Sequence, residues 1–529
     1  MIALARMGDL VQCFPAMSDL NRRAGGEGIA LMVQKELEPL ARMHPAVRDL
    51  ILFDGDVLLD MLKNGAEWSP SNFASLSELF EKINSLKPHL IVNLTHTAFS
   101  GMLTYLLKSP DVHGRSYHPG AGSALLGDWT KYFFTLLSSR SCNGFNLVDL
   151  HREISAGVRG ETDRLLMPQT SQRYAEECLR ALPGKYRIAL GLGANHALRR
   201  WPQDCWHKLI TLLADREDVG FLLLGDSGES QDAAEIRANM GDRCLDLCGQ
   251  TDLPRLMALL DHCHLYIGND SGPLHLAAGL GVPCVGIYLA MASAWETAPY
   301  RPGAVSIEPD VSCHPCSEKG GCTDARCHHQ VQPDAVARIA LTVLHEERPG
   351  PESGCIVRIS EFDDDGWLTL AGQKKSGDDL RLAWREILKA ILKHGTESDN
   401  PRRSAIFSHN ATSALAVQVE RMEKNVLQLC QRTIEEVKNS SQRGNGRDAD
   451  ALTRGMPALL AGFPEFRPLF DLYRLDCLNS DSPPPASPVE NVLIAQEKLL
   501  RRMGQIRVGM LLEKASKVGT EEASAAVFA

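Results

Sequence analysis

A positive charge balance is missing. Fifty-six Lys and Arg stand against 66 Asp and Glu, a formal net charge of -10, which argues against a general nucleic-acid-binding surface. The stretch MIALARMGDLVQCFP lacks the basic segment, apolar run and small-residue cleavage site of a secretory signal, so a cytoplasmic protein is expected. An unbroken membrane span is also missing. The longest candidate, Ser271 to Trp295, is uncharged apart from His275, but Gly279, Gly281, Pro283 and Gly286 divide it into a short helix, a tight turn and the β-rich segment CVGIY. There is no convincing internal repeat. The 15 cysteines are scattered along the chain, as expected of reduced thiols rather than of a small disulfide scaffold.

What is present is a folded α/β protein. The chain has 529 residues, 44% hydrophobic and 23% charged, a globular composition with length for about three units. Strand candidates are Ile2 to Ala5, Gly28 to Val33, Leu50 to Phe53 and His89 to Leu94, then a second series at Tyr186 to Gly193, Gly220 to Asp226, Leu265 to Ile267 and Cys284 to Tyr288. Longer amphipathic segments alternate with them, the signature of parallel sheets wrapped by helices. Two doubly wound Rossmann-like domains facing a cleft are therefore predicted, residues 1–170 and 180–347. Beyond the Pro/Gly-rich linker at His345 to Gly354, residues 348–529 read as a short β-hairpin followed by a mostly helical accessory domain.

Three strand-to-helix turns carry candidate chemistry. In GNDSGPLHLAA, Asp270 or Ser271 can cap a helix, Pro273 sits near its first position, and Gly272 leaves room for an anion against the exposed amides. His275 projects one turn further along. The same residue types also describe an ordinary capped core helix with a satisfied histidine. GLGANHALRRWP sets Gly193, Ala194 and Asn195 before Arg199 and Arg200, small residues followed by guanidinium donors suited to phosphate. In GDSGESQDAAEI, Glu229 is placed either to accept from ribose hydroxyls or to serve as a plain first-turn acid. At the other end of the chain, Gly8 and Asp9 of ARMGDLVQCFPAM end a strand and open a helix facing the cleft. Asp9 suits a general base for an acceptor hydroxyl, although a carboxylate used as a helix cap is a poor one.

Together these blocks resemble the bacterial heptosyltransferases, glycosyltransferase family 9. The most specific is DSGPLHLAAGLGVPCVGIY, with RMGDLVQCFPAM and RRWP following the family in order. The resemblance covers residues 1 to 345 and implies a two-domain GT-B fold and inverting, metal-independent transfer of a sugar from a nucleotide diphosphate donor, typically ADP-heptose. The acceptor implied is a lipid-linked glycan such as lipopolysaccharide core, met at the inner face of the cytoplasmic membrane, with no nucleic acid involved and no cofactor required. It further implies Asp9 as catalytic base, with Gly8, Ala194, Asn195, Arg199, Glu229, Asp270, Ser271, Gly272 and His275 at the donor. Arg199 would neutralise the diphosphate, Glu229 bind the ribose, and Asp270 and His275 hold the sugar. The family commonly has Lys where Arg199 stands, and residues 348–529 match nothing in its core. A related transferase with another donor and acceptor, or a catalytically silent nucleotide-sugar-binding scaffold, are the alternatives.

Cys313, Cys316, Cys322 and Cys327 form C-x2-C-x5-C-x4-C beside His314, His328 and His329, a density that suits a structural Zn²⁺, free thiols or a labile disulfide. Asp54-Gly55-Asp56 matches a metal-binding D-x-D literally, but a strand-ending turn explains it equally. Asp363 to Asp365 read as a hairpin tip.

Overall fold

The run Val219–Leu224, VGFLLL, is buried at every position and forms a strand, the unbroken apolar pattern of a parallel strand covered on both faces. The computed structural model describes residues 1–55, 70–119, 122–136, 140–316, 322, 324–394 and 466–478, with 495, 498, 499 and 502. Asp56 and residues 395–465 of the expected helical accessory domain lie outside the described residues. Contacts divide the chain into one unit of residues 1–95 and 145–375 and another of 96–144 and 376–529.

The first unit holds parallel strands β1 (Ile2–Ala3), β2 (Ile29–Gln34), β3 (Val47–Phe53) and β4 (Leu90–Asn93), ordered β3-β2-β1-β4. In the second unit, β5 (Asp111–His118) and β6 (Gly122–Leu126) pair as an antiparallel hairpin. The first unit also holds the second sheet: β7 (Tyr186–Gly191), β8 (Val219–Leu224), β9 (Cys244–Asp246), β10 (Leu265–Asn269), β11 (Cys284–Ile287), β12 (Val305–Pro309), β13 (Cys355–Phe362) and β14 (Leu368–Gly372). Its order is β14-β13-β12-β11-β10-β7-β8-β9. Both sheets with their flanking helices are Rossmann-like. Apolar side chains such as Ile188, Leu209, Phe221, Ile267, Val285 and Ile339 close one continuous core around the second sheet.

In each sheet the chain winds outward in two directions from a central strand, reversing between β1 and β4 and between β7 and β10. Such switch points open a crevice at the carboxyl ends of the strands, where ligands of open α/β sheets bind. The turns carrying Gly8 and Asp9, Gly193 and Ala194, and Asp270 to Gly272 follow those strand ends.

One expectation is corrected. The hairpin assigned to the accessory region extends the second sheet instead, β13 running antiparallel to β12. Glu308 of β12 and Arg358 of β13 are both buried and pair at 2.6 Å. Each charge is acceptable at the sheet only with the other present, because an unpaired buried charge is costly. In the second unit, the helix Asp378–His394 buries Trp384 and Leu388. Buried Lys131 and Arg502 both bind Asp476 there, at 2.9 and 2.7 Å.

Candidate active site

Two helix starts meet at close range. Helix α1 (Met7–Gln12) begins after β1, and the helix Gly272–Gly279 begins after β10. A Cβ added to Gly8 would lie 3.2 Å from the Gly272 Cα, and one added to Gly272 would lie 3.3 Å from the Gly8 nitrogen. The absent side chains therefore set the approach of the two backbones. Ser271 is the N-cap residue, but its side chain makes no capping bond. The helix is not sealed by its own hydroxyl, and Ser271, Gly272 and Pro273 stay half-buried rather than closed off. A helix start of this kind presents donors and a positive dipole end to an anion.

Behind that turn lies a chain of polar groups, Asp270 and His275 buried and Arg199 partly so. Arg199 Nη2 donates to Asp270 Oδ2 at 2.6 Å, and His275 Nε2 lies 3.6 Å from Asp270 Oδ1. Burial alone would raise the Asp270 carboxyl. The His275 hydrogen bond and the Arg199 charge outweigh it and hold the carboxyl below its ordinary value. Arg199 Nε is buried without a partner among the described residues, an unsatisfied cationic donor in an otherwise paired group.

Glu229 sits apart from Asp270 and is used locally. Its Oε2 accepts the Asp226 N–H at 2.9 Å in a capping box, and Arg200 Nη1 lies 3.1 Å from its Oε1. Burial, countered by the Asp226 N–H and by Arg200, raises its carboxyl above the ordinary value. A Cβ at position 193 would come within 2.7 Å of the Glu229 carboxyl carbon, so the glycine there lets the acid reach the loop. The Ala194 carbonyl accepts from Arg200 Nε at 2.9 Å, and Asn195 is exposed. Asp9 is exposed on the first turn of α1, its carboxylate accepting the Arg6 N–H at 3.2 Å. The sequence thus names groups that fall into two sets, Gly8, Arg199, Asp270, Gly272 and His275 in one, Glu229, Arg200 and Ala194 in the other.

Residues 157–325 match the family model described as glycosyltransferase family 9 (heptosyltransferase). This segment carries the signature of glycosyltransferase family 9. Lipopolysaccharide heptosyltransferase 3 of Escherichia coli (strain K12) is 25% identical over 300 residues, covering 53% of this chain and 79% of that protein. Another lipopolysaccharide heptosyltransferase 3 from Escherichia coli is 23% identical over 291 residues, covering 53% and 80%. The crystal structure of the family 9 glycosyl transferase from Veillonella parvula DSM 2008 superposes with a TM-score of 0.53 at 19% identity, covering 65% of this chain and 96% of that one. The architecture of this glycosyltransferase is therefore GT-B.

Three buried residues beside these turns escaped the sequence reading. Asn269, fully buried at the end of β10, donates from Nδ2 to the Leu192 carbonyl at 2.8 Å and accepts the Trp201 N–H at 2.9 Å. It stitches the β7 turn to the β10 turn across the switch point. Gln12, 5% exposed on α1, contacts His275, with Gln12 Nε2 placed 2.9 Å from His275 Nε2. Its signal was its spacing: Gly8 and Gln12 are four apart, as Gly272 and His275 are three apart, so each pair shares one helix face. His151 is buried, its Nδ1 3.7 Å from the Cys13 sulfur. Burial lowers its pKa against the opposing pull of the nearby Asp9 charge.

Cys313, Cys316, Cys322 and Cys327 are free thiols. Burial and the neighbouring Cys313, Cys327 and Cys322 raise the Cys316 thiol. Among the described residues, no three His, Cys, Asp or Glu side chains are disposed to hold a metal ion. Asp54 pairs with Lys35 at 3.2 Å. Asp363 accepts the Asp365 and Trp367 N–H groups at the β13–β14 tip. Among the described residues, no helix is long and apolar enough to cross a membrane.

Proposed function

We propose that this glycosyltransferase moves a heptose from ADP-heptose, with inversion, onto lipopolysaccharide core or a related lipid-linked cell-surface glycan at the cytoplasmic face of the membrane. The observation that carries the reading is the meeting of Gly8, next to Asp9, with Gly272, next to the uncapped Ser271. The amides at Gly272 and beyond take the donor's diphosphate, and the guanidinium of Arg199, with its partnerless Nε, meets the charge that grows on it. Asp270 holds Arg199 in place and, with His275, lines the sugar. Asp9, one residue beyond the contact, takes the proton of the attacking acceptor hydroxyl. Glu229 receives the ribose hydroxyls beside Ala194 and Asn195. With cation and amides both supplied by the chain, this route calls for no metal.

A second reading, a nucleotide-sugar-binding scaffold without turnover, is favoured by one fact: the Asp9 carboxylate is engaged by the Arg6 N–H. Donor turnover by wild type and Asp9→Asn separates the two. Loss of turnover with donor affinity retained supports the base; unchanged turnover removes Asp9 from the mechanism. Calorimetry with ADP-, UDP- and GDP-sugars tests the donor, and tight binding confined to UDP-sugars overturns the heptose assignment while leaving the fold intact.

A further inference from the structure

Gln12 and His275 are 5% and 7% exposed and lie on the two helices whose starts touch. The His275 Nε2 atom has two neighbours, the Gln12 amide at 2.9 Å and Asp270 Oδ1 at 3.6 Å. A bare Nε2 would set its lone pair against a carboxylate, two acceptors with no proton between them. A protonated Nε2 suits Asp270, and then the Gln12 group facing it must be an acceptor, the side-chain carbonyl. Turning the amide so exchanges its two ends: the NH2 now placed beside His275 moves to the position of Oε1, the buried atom that has no partner among the described residues. An unsatisfied buried donor is unfavourable for stability, so packing alone would prefer an apolar residue of the same length here.

We propose that Gln12 is a positioning residue of the donor site, its side-chain carbonyl accepting the Nε2 proton of His275 and so fixing that ring against Asp270. The Nε2 proton is then held at the Gln12 carbonyl with its positive end beside the carboxylate that holds Arg199, 3.6 Å away, and α1 is tied to the arrangement of the donor-side groups. The idea deepens the transferase reading and rests on it for the choice of ligand, but not for the state of the ring.

Two measurements on the full chain test it. Long-range nitrogen–proton spectra of histidine-labelled protein, with His275 assigned by its loss in His275→Phe, are expected to show the proton on Nε2. A proton on Nδ1 with Nε2 bare overturns the proposal. ADP affinity is then measured calorimetrically for wild type, Gln12→Met, His275→Phe and the double variant, with thermal midpoints recorded. We expect Gln12→Met to melt no lower than wild type yet bind ADP roughly tenfold more weakly, about one lost interaction of 1.4 kcal/mol. The double variant should bind no worse than His275→Phe alone, because Gln12 acts through the ring. Additive losses, or a lower melting point with unchanged ADP affinity, mark a merely structural glutamine and overturn it. If wild type fails to bind ADP, the nucleotide reading falls, and the spectrum alone decides the role of Gln12.

Discussion

Arg199 reaches from the turn after β7 to Asp270 at the end of β10 and binds it at 2.6 Å, with Asp270 3% exposed. The pair spans the switch point of the second sheet and places a cation there. Removing Arg199 takes the guanidinium charge from a buried carboxylate and leaves it with His275 and Thr297. Arg199→Ala is expected to cost roughly 3 kcal/mol or more in stability, as breaking buried pairs does, and to weaken donor binding. Arg199→Lys keeps the charge but not the fork, and should fall between the two. Urea midpoints and donor titrations of the three proteins check the order.

The same pair gives a signed pH dependence. The Asp270 carboxyl is held below its ordinary value in the folded state, so its stabilisation is fully present above the unfolded value, about 3.9, and is lost as pH falls through the folded one. Asp270→Asn should therefore flatten the acid limb of the stability curve below about pH 4. Denaturant midpoints from pH 7 downward read this directly, and an unchanged limb would contradict the pairing.

Glu229 has the opposite sign. Its carboxyl is raised, chiefly by burial, so its contribution to stability declines as pH rises from the unfolded value, about 4.3, through the folded one. Glu229→Gln keeps an acceptor for the Asp226 N–H and should be at least as stable as wild type at pH 7, the two converging in acid. If Glu229 also binds ribose, the same variant should discriminate less well between an adenine nucleotide and its 2′-deoxy analogue. Stability alone would move if the acid served only as a cap.

Gly8→Ala places a methyl 3.2 Å from the Gly272 Cα, against backbone rather than a pliable side chain. The two helix starts must separate. We expect a modest stability loss, about 1–2 kcal/mol as for other overpacked sites, and, if the proposed roles hold, a disproportionate loss of transfer, since displacing Asp9 from the Gly272 amides would harm orientation. Comparing kcat and KM with the melting temperature separates the two effects.

Much of this was legible from residue order. The apolar runs of β7, β8, β10 and β11 announced themselves because parallel strands covered on both faces are continuously apolar. The glycine at each helix start marked where backbone approaches backbone. β12 escaped because VSIEP carries Ser306 and Glu308 into the interior, where the acid pairs with Arg358, fifty residues on. β13 and β14 were read as a hairpin, but the strand they join was not, so their sheet was missed. Gln12 and His275 are separated by 263 residues, and their encounter depends on how the two switch points face each other. No local pattern encodes that.

Asn269 offers the sharpest test of the switch point itself. Its two polar atoms serve the two ends of the β7 turn, Nδ2 reaching the Leu192 carbonyl and Oδ1 the Trp201 N–H. Asn269→Leu fills the volume but leaves that carbonyl and that N–H buried and unpaired, a loss of roughly 2–4 kcal/mol for the two groups. Asn269→Asp keeps the acceptor for Trp201 but turns the donor into a carboxylate facing the carbonyls of Gly191, Leu192 and Gly193, all within 3.4 Å of the present nitrogen. Repulsion there must be relieved by protonation or by opening the β7 turn. Asn269→Asp is therefore expected to be least stable at neutral pH and to recover in mild acid, whereas Asn269→Leu shows no such recovery. Amide exchange localised to residues 191–201 should report the opening, because that turn holds Arg199 over the crevice.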